Sequence, residues 1–201
     1  MRIIAGSLKG RQLVTPRGHR TRPTADQVRI ALMDTLMPEL PGARVLDLFA
    51  GAGGIAFEAL SRGAADATLV ERDPRAVAAI RQNATALGVR ARARVLDADV
   101  SRWIDRLAAA SAVFDVVFLD PPYEADLVDQ TLERLGEGTI ITADAVVVAQ
   151  HMTKRAPGAT AGMLTAVRQR RFGETTLTFF RVAAPSQPED TEPRVAEPPS
   201  P

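Results

Sequence analysis

The sequence predicts an α/β fold: a mostly parallel sheet of seven strands with helices on both faces. Three observations predict it. From Arg44 onward, short apolar runs alternate with helix-length amphipathic segments, the pattern of β-α-β units. A glycine-rich turn, Gly51-Ala-Gly53-Gly54, follows the first apolar run, as at the ligand-binding end of an open parallel sheet. The last apolar runs, Leu164 to Arg171 and Thr175 to Val182, flank Phe172-Gly-Glu174 and read as an antiparallel hairpin.

Taken in order, residues 2–14 read as two short strands around a turn near Gly6 to Gly10. Thr24 is expected to cap a helix, with Gln27 in the capping-box position. Val28, Leu32 and Leu36 repeat at helical spacing, and Pro38 and Pro41-Gly42 close the segment. Val45 to Phe49 is the first core strand, and a helix from about Ile55 ends at Gly63. Ala67 to Val70 is the second strand, ending at Glu71, and Pro74 to Leu87 the next helix. Ala93 to Leu96 is the third strand, followed by Asp97-Ala-Asp99 and a helix from Val100 to Ala110. Phe114 to Leu119 is the fourth, delivering Asp120-Pro-Pro-Tyr123. A helix from Leu127 to Leu135 precedes a fifth strand, Ala145 to Ala149. Three parts are expected: a basic hairpin and helix over 1–42, a Rossmann-like domain over 43–183, and a disordered Pro- and Glu-rich tail over 184–201.

The length of 201 residues fits one domain with appendages, and 46% apolar content is enough for a sizeable core. The absence of cysteine excludes disulfides and thiolate metal sites and fits a reducing cytoplasm. No secretory signal is expected from Met1 to Ser7, and no apolar run approaches a membrane span. With His19 and His151 far apart, no metal site is expected. The net charge of +1 is unevenly spread. Residues 1–29 carry Arg2, Lys9, Arg11, Arg17, Arg20, Arg22 and Arg29 against Asp26 alone. Such a basic end suggests a polyanion partner, and a solvated arginine-rich surface is the plainer alternative.

The residues that could carry chemistry gather at strand ends. Gly51-Ala-Gly53-Gly-Ile-Ala56 fits the loose dinucleotide pattern, which alone is weak. Asp47 stands inside the strand, where a plain dinucleotide fold prefers an apolar side chain. Glu71 follows the glycine turn by about 20 residues, where a carboxylate accepts ribose hydroxyls. Asp120-Pro121-Pro122-Tyr123 is the sharpest signal. Its prolines fix the backbone and remove N–H donors. Asp120 adds a carboxylate acceptor and Tyr123 a flat ring. Asp120 and the Pro121 carbonyl could together accept both N–H bonds of an exocyclic amine, which localises the amine's lone pair toward a methyl donor. That is catalysis by positioning and electrostatics.

These features resemble the class I S-adenosyl-L-methionine-dependent methyltransferases, a Rossmann-like class. The resemblance implies that Asp47, Ala50, Gly51, Gly53, Glu71, Arg72, Ala98 and Asp99 bind that cofactor, with Ala98 and Asp99 beside the adenine and Asp97 as second choice. A narrower family is matched by Arg2-Ile-Ile-Ala-Gly6, Gly10-Arg11, Thr21-Arg-Pro-Thr24, Val28-Arg29, Glu58-Ala-Leu-Ser-Arg-Gly-Ala64, Asp120-Pro-Pro-Tyr123 and Phe172-Gly-Glu-Thr175. These resemble the bacterial 16S ribosomal RNA guanine-N2 methyltransferases, of the guanine(966)-N2 type, over roughly residues 1 to 183. The resemblance implies methyl transfer to a guanine amine in 16S rRNA, or in an assembling 30S subunit, by a cytoplasmic monomer. It implies RNA binding by Arg11, Arg20, Arg22, Pro23 and Thr24, and catalysis by Asp120, Pro121, Pro122 and Tyr123. Gln150 stands where Glu is expected, Met33-Asp34 replaces Phe-Asn, and the acidic tail is extra.

Other readings remain. An adenine-N6 DNA methyltransferase uses the same Asp-Pro-Pro-Tyr, but would need a target-recognition domain for which 201 residues leave no room. A protein-glutamine methyltransferase more often carries Asn at position 120. A non-catalytic RNA-binding or assembly factor could reuse the fold.

Overall fold

The computed structural model describes residues 1–16, 23–122 and 126–183, without the side chains of residues 23–25. The helices are α1 (Pro23–Leu36), α2 (Gly54–Ser61), α3 (Pro74–Ala86), α4 (Val100–Ala109) and α5 (Leu127–Gly136). The strands are β1 (Arg44–Leu48), β2 (Asp66–Glu71), β3 (Ala93–Asp97), β4 (Phe114–Leu119), β5 (Ile141–Met152), β6 (Thr160–Ala161), β7 (Leu164–Phe172) and β8 (Thr175–Val182). They form one sheet in the order β3-β2-β1-β4-β5-β8-β7-β6. The first five are mutually parallel where they pair, and β8, β7 and β6 add antiparallel to that edge. The chain therefore reverses direction across the sheet between β1 and β4, which opens a crevice at their carboxyl ends.

Alternation along the central strands builds two cores. Val45, Val116 and Phe118 face one way, with α1, α2 and α3 over them through Leu32, Phe57 and Ile80. Leu46, Leu48, Val117 and Leu119 face the other way, against Ile104 and Leu107 of α4 and Leu132 and Leu135 of α5. Both faces of the sheet are covered, which is why its inner strands read as nearly continuous apolar runs. Asp73 accepts a hydrogen bond from Arg75 N, with Pro74 as first helical residue, and so starts α3.

Several expectations need correction. The sheet has eight strands, because the two-residue β6 pairs Ala161 with Leu164. Strand β5 runs over twelve residues rather than Ala145 to Ala149 alone; it has β4 on one side and β8 on the other to satisfy its backbone. Strand β1 ends at Leu48, since Phe49 turns into left-handed backbone at φ 63. Helix α1 begins at Pro23, so Thr24 lies inside its first turn rather than before it. The tail from residue 184 and the Arg17 to Arg22 loop lie outside the described residues.

The amino-terminal hairpin is short: Arg2 bridges Gln12, Ile3 N donates to the Arg11 carbonyl, Gly10 N to the Ile3 carbonyl and Leu13 N to the Met1 carbonyl. Its backbone has another partner. Glu58 of α2, wholly buried, accepts hydrogen bonds from Ile4 N (2.8 Å) and Ala5 N (3.0 Å), and Arg62 Nε donates to it at 3.0 Å. Ser7 N donates to the Ser61 carbonyl, and Leu8 N to Ser61 Oγ. Gly6 has φ +81, and a Cβ there would stand 1.9 Å from the Ser61 carbonyl oxygen, so only glycine allows this approach. Residues 4–8 are thus paired to a helix end instead of to a second strand. Among the described residues no helix is long and apolar enough to cross a membrane.

Candidate active site

The crevice is built from the ends of β1, β2, β3 and β4. Asp47 sits on the β1 face covered by α1–α3 and is 1% exposed. Its Oδ2 accepts from Ala56 N in the first turn of α2 at 3.2 Å. Burial pushes its carboxyl up to about 8, against that hydrogen bond, and the charges of Asp120 and Glu71 push the same way as burial. The two other carboxylates are therefore close enough to be felt.

The turn between β1 and α2 is held by Glu71. Its Oε2 accepts from Gly51 N at 2.8 Å, and its Oε1 from Arg72 N and Asp73 N at 2.8 Å each. Ala50 N donates back to the Val70 carbonyl at 3.0 Å. Gly53 has φ +80, and a Cβ there would meet the Phe57 ring at 2.5 Å, so both conformation and crowding demand glycine. A carboxylate offers about four lone-pair sites. Three are engaged by backbone here, so Glu71 shapes the glycine turn besides presenting a charge.

At the end of β3, Ala98 N donates to the Glu71 carbonyl at 2.9 Å, which joins the third strand to the second. Asp99 caps α4 by accepting from Ser101 N at 3.0 Å, and Arg72 Nη1 lies 3.8 Å from its Oδ2. The Ser101 hydroxyl hydrogen bond is the main reason its carboxyl is held below the usual range. Asp97 is exposed.

At the end of β4, Asp120 is half-buried and Gln150 Nε2 donates to its Oδ2 at 2.9 Å. Burial pushes Asp120 up to about 7, and the Gln150 hydrogen bond opposes it. Pro121 is buried and Pro122 exposed. A cavity of about 420 Å³ opens beside them, lined among others by Gln150, Met152, Arg155 and Val128.

The cofactor set expected from sequence, from Asp47 to Asp99, thus gathers with Asp120 and the two prolines around one crevice. Tyr123, Arg20 and Arg22 lie outside the described residues, as do the side chains of Pro23 and Thr24. Arg11 is exposed, and its guanidinium donates to the Ala86 carbonyl at the end of α3, a favourable place for a cation. Sequence reasoning missed three supports. Asn83 of α3, 1% exposed, donates to the Ala52 carbonyl of the glycine turn at 3.1 Å and exchanges two hydrogen bonds with Val14 backbone. Glu58 clamps the amino terminus, as described above. Gln150 anchors Asp120. Gln150 carried a signal in the sequence as a departure from the expected residue, and Glu58 opens one of the family-like motifs; Asn83 carried none.

The strand order and the polar groups at these strand ends define a Rossmann-like class I methyltransferase fold. The chain belongs to the family described as conserved hypothetical protein 95, which it matches over residues 1–181. It is 35% identical to YlbH of Bacillus subtilis over 181 residues, covering 90% of this chain and 98% of that one. It is similar to two proteins named ribosomal RNA small subunit methyltransferase D. The one from Escherichia coli is 35% identical over 147 residues, 73% of this chain and 72% of that one. The one from Haemophilus influenzae is 32% identical over 182 residues, 90% and 93% respectively. Among solved structures, yhhF of Escherichia coli superposes with a TM-score of 0.79 at 30% identity, covering 92% of this chain and 99% of that one. SMU.776, solved in complex with SAH, shares the fold at 16% identity and a TM-score of 0.65, covering 81% and 50%.

Proposed function

We propose that the protein transfers a methyl group from S-adenosyl-L-methionine to the exocyclic N2 amine of a guanine in small-subunit ribosomal RNA. The observation that carries this reading is the position of Asp120. It stands at the reversal between β1 and β4, across from Asp47 and the Glu71-held turn, with one oxygen anchored by Gln150 and a cavity of about 420 Å³ alongside, roomy enough for a base. The relatives named as ribosomal RNA small subunit methyltransferases support the RNA class of substrate. The donor set fits the cofactor: buried Asp47 suits its ammonium group, and Glu71 with Asp99 suits its nucleoside. When bound, the cofactor supplies an electrophilic methyl on a sulfonium.

The chain's residues then act on the amine. Asp120 and the Pro121 carbonyl accept its two N–H bonds and turn its lone pair toward the methyl. Tyr123 stacks on the base, which must be flipped out or unpaired to enter the crevice. Asp120 passes the surplus proton to water as the N–C bond forms, the S–C electron pair staying with the cofactor. The basic segment around Arg11, Arg20, Arg22, Pro23 and Thr24 binds RNA phosphate, within an amino-terminal unit over 1–42 that serves the domain over 43–183. The substrate is 16S rRNA or the assembling 30S particle, and the protein works in the cytoplasm as a monomer.

Single-turnover methylation of 16S RNA and 30S particles, with nucleoside analysis of the product, tests this. Asp120→Ala should lose methyl transfer by orders of magnitude while still binding cofactor. Tyr123→Phe should be mild and Tyr123→Ala severe. A near-normal rate for Asp120→Ala, or a methylated adenine as product, would overturn the reading.

A further inference from the structure

Arg29 occupies a position unusual for a guanidinium. It lies on the inward stripe of α1 with Leu32, Met33 and Leu36, and it is 5% exposed. One nitrogen, Nη2, is satisfied by the Arg2 carbonyl at 2.9 Å and Asp26 Oδ1 at 3.0 Å. The other two, Nε and Nη1, are buried and have no partner among the described residues. Leaving a buried charged donor unpaired costs more than an ordinary hydrogen bond returns. Glu58 gives these two nitrogens no hydrogen bond, being committed to Ile4 N, Ala5 N and Arg62. Burial lowers the Arg29 guanidinium from its ordinary value, while Asp26 and Glu58 hold it up.

The free side of the guanidinium faces the glycine turn. Its Nη1 lies 3.5 Å from where a Cβ on Gly54 would stand, beside the Met1 side chain. Gly54 is the first residue of α2, whose leading N–H groups have no partners within the helix and carry partial positive charge. Two residues on, Ala56 N is bonded to Asp47. The start of α2 is thus flanked by a buried cation on one side and a buried carboxyl on the other. That is the charge pattern of an α-amino acid zwitterion. The Met1 side chain fills the space over Gly54, 2.7 Å from where its Cβ would stand, so a carboxylate reaches the guanidinium by displacing it.

We propose that Arg29 is the carboxylate-binding residue of the cofactor site, pairing through Nε and Nη1 with the carboxylate of the methionine moiety, opposite Asp47. This rests on the cofactor reading above. Because α1 also carries the segment proposed to meet RNA, such pairing ties that helix to cofactor occupancy.

Isothermal calorimetry on the full chain tests it with S-adenosylmethionine and decarboxylated S-adenosylmethionine. In the wild type, removing the carboxylate should weaken binding at least about tenfold, the scale of a charged hydrogen bond. In Arg29→Met the two ligands should bind within about twofold of each other. A preference for the carboxylate kept in full by that variant would overturn the assignment. Should Arg29→Met fail to fold, the wild-type chain still decides. The Arg29 Nε–H resonance, identified by its loss in Arg29→Lys, should shift with S-adenosylmethionine and not with the decarboxylated ligand. An unmoved resonance overturns the proposal. Failure of both ligands to bind the wild type would instead refute the cofactor reading itself.

Discussion

Asp120 and Asp47 are both carboxyls pushed toward neutrality by burial, and each has one group working against that push. For Asp120 it is the Gln150 amide. An ionised Asp120 is the better acceptor for an amine, so methyl transfer should rise with pH through about 7. Gln150→Glu would replace a donor by a like charge and should move that rise to higher pH by about one unit or more. Single-turnover rates against pH, at saturating cofactor, read this directly; an unmoved profile would leave Gln150 without a role in tuning Asp120. Asp47 gives a stability prediction. Its folded value, about 8, lies above the ordinary 3.8, so the folded state holds the proton more tightly. The stability from this group is complete below about pH 4 and is lost as pH rises through 8. Asp120 adds the same trend, its contribution lost by about pH 7. The cofactor-free protein should therefore lose stability between about pH 4 and pH 8 and level off above it, and Asp47→Asn should flatten the trend by an amount on the order of a few kcal/mol. Urea denaturation across that range checks it. A slope unchanged by Asp47→Asn would mean that the carboxyl titrates as it does in the unfolded chain.

At the scale of elements, what the sequence made legible was what its period alone determines. Runs such as Val45 to Leu48 and Phe114 to Leu119 are covered on both faces, so they announce strands whatever surrounds them. Glycine turns and proline helix starts announce their own boundaries. What stayed hidden depended on partners distant in sequence. Strand β6 is two residues with no apolar alternation of their own, and it exists by pairing with β7. The amino-terminal strands were expected from residues 2–14, yet Ile4 and Ala5 give their N–H groups to Glu58, over fifty residues away. Arg29 shares the apolar stripe of α1, a position that itself hints at a buried charge, but only the fold shows what it faces. Glu58 lends itself to test. Glu58→Ala would leave two backbone donors unpaired and the buried side chain of Arg62 with Asp34 as its remaining carboxylate, and should cost about 3–5 kcal/mol, the range for breaking a buried ion pair. Hydrogen exchange should show the Ile4 and Ala5 amides losing protection ahead of the sheet. Retained protection at those two amides would mean that the bridge between Arg2 and Gln12 suffices to hold the segment.

Across the whole molecule, the amino-terminal segment is joined to the cofactor turn at several points. Asn83 links Val14 to Ala52, Met1 lies over Gly54, and Arg29 links the Arg2 backbone to α1. The same segment holds seven of the chain's 25 lysines and arginines against one acidic residue, a local excess that a net +1 conceals. Exposed Arg168 and Arg171 on β7 add to the basic surface, and Arg170 ties that strand to α1 through the Ala31 carbonyl and the Thr35 hydroxyl. A polyanion held by this surface would therefore rest on elements that also frame the crevice. Neutralising Arg11, Arg20 and Arg22 together should lower RNA affinity and flatten its salt dependence by about 0.7–0.9 in log–log slope for each phosphate no longer neutralised. Affinity for S-adenosylmethionine should hardly change, since none of the three is among the residues assigned to the cofactor. Arg11 also serves the Ala86 carbonyl at the end of α3, so its loss alone should cost about 0.3–1 kcal/mol of stability. Denaturation of the triple variant separates that local cost from RNA binding. RNA titrations from low to physiological salt then give the answer. If the triple variant kept both the affinity and the slope of the wild type, the arginines would be a structural and solvating surface, and the RNA-binding face would have to be sought on β7.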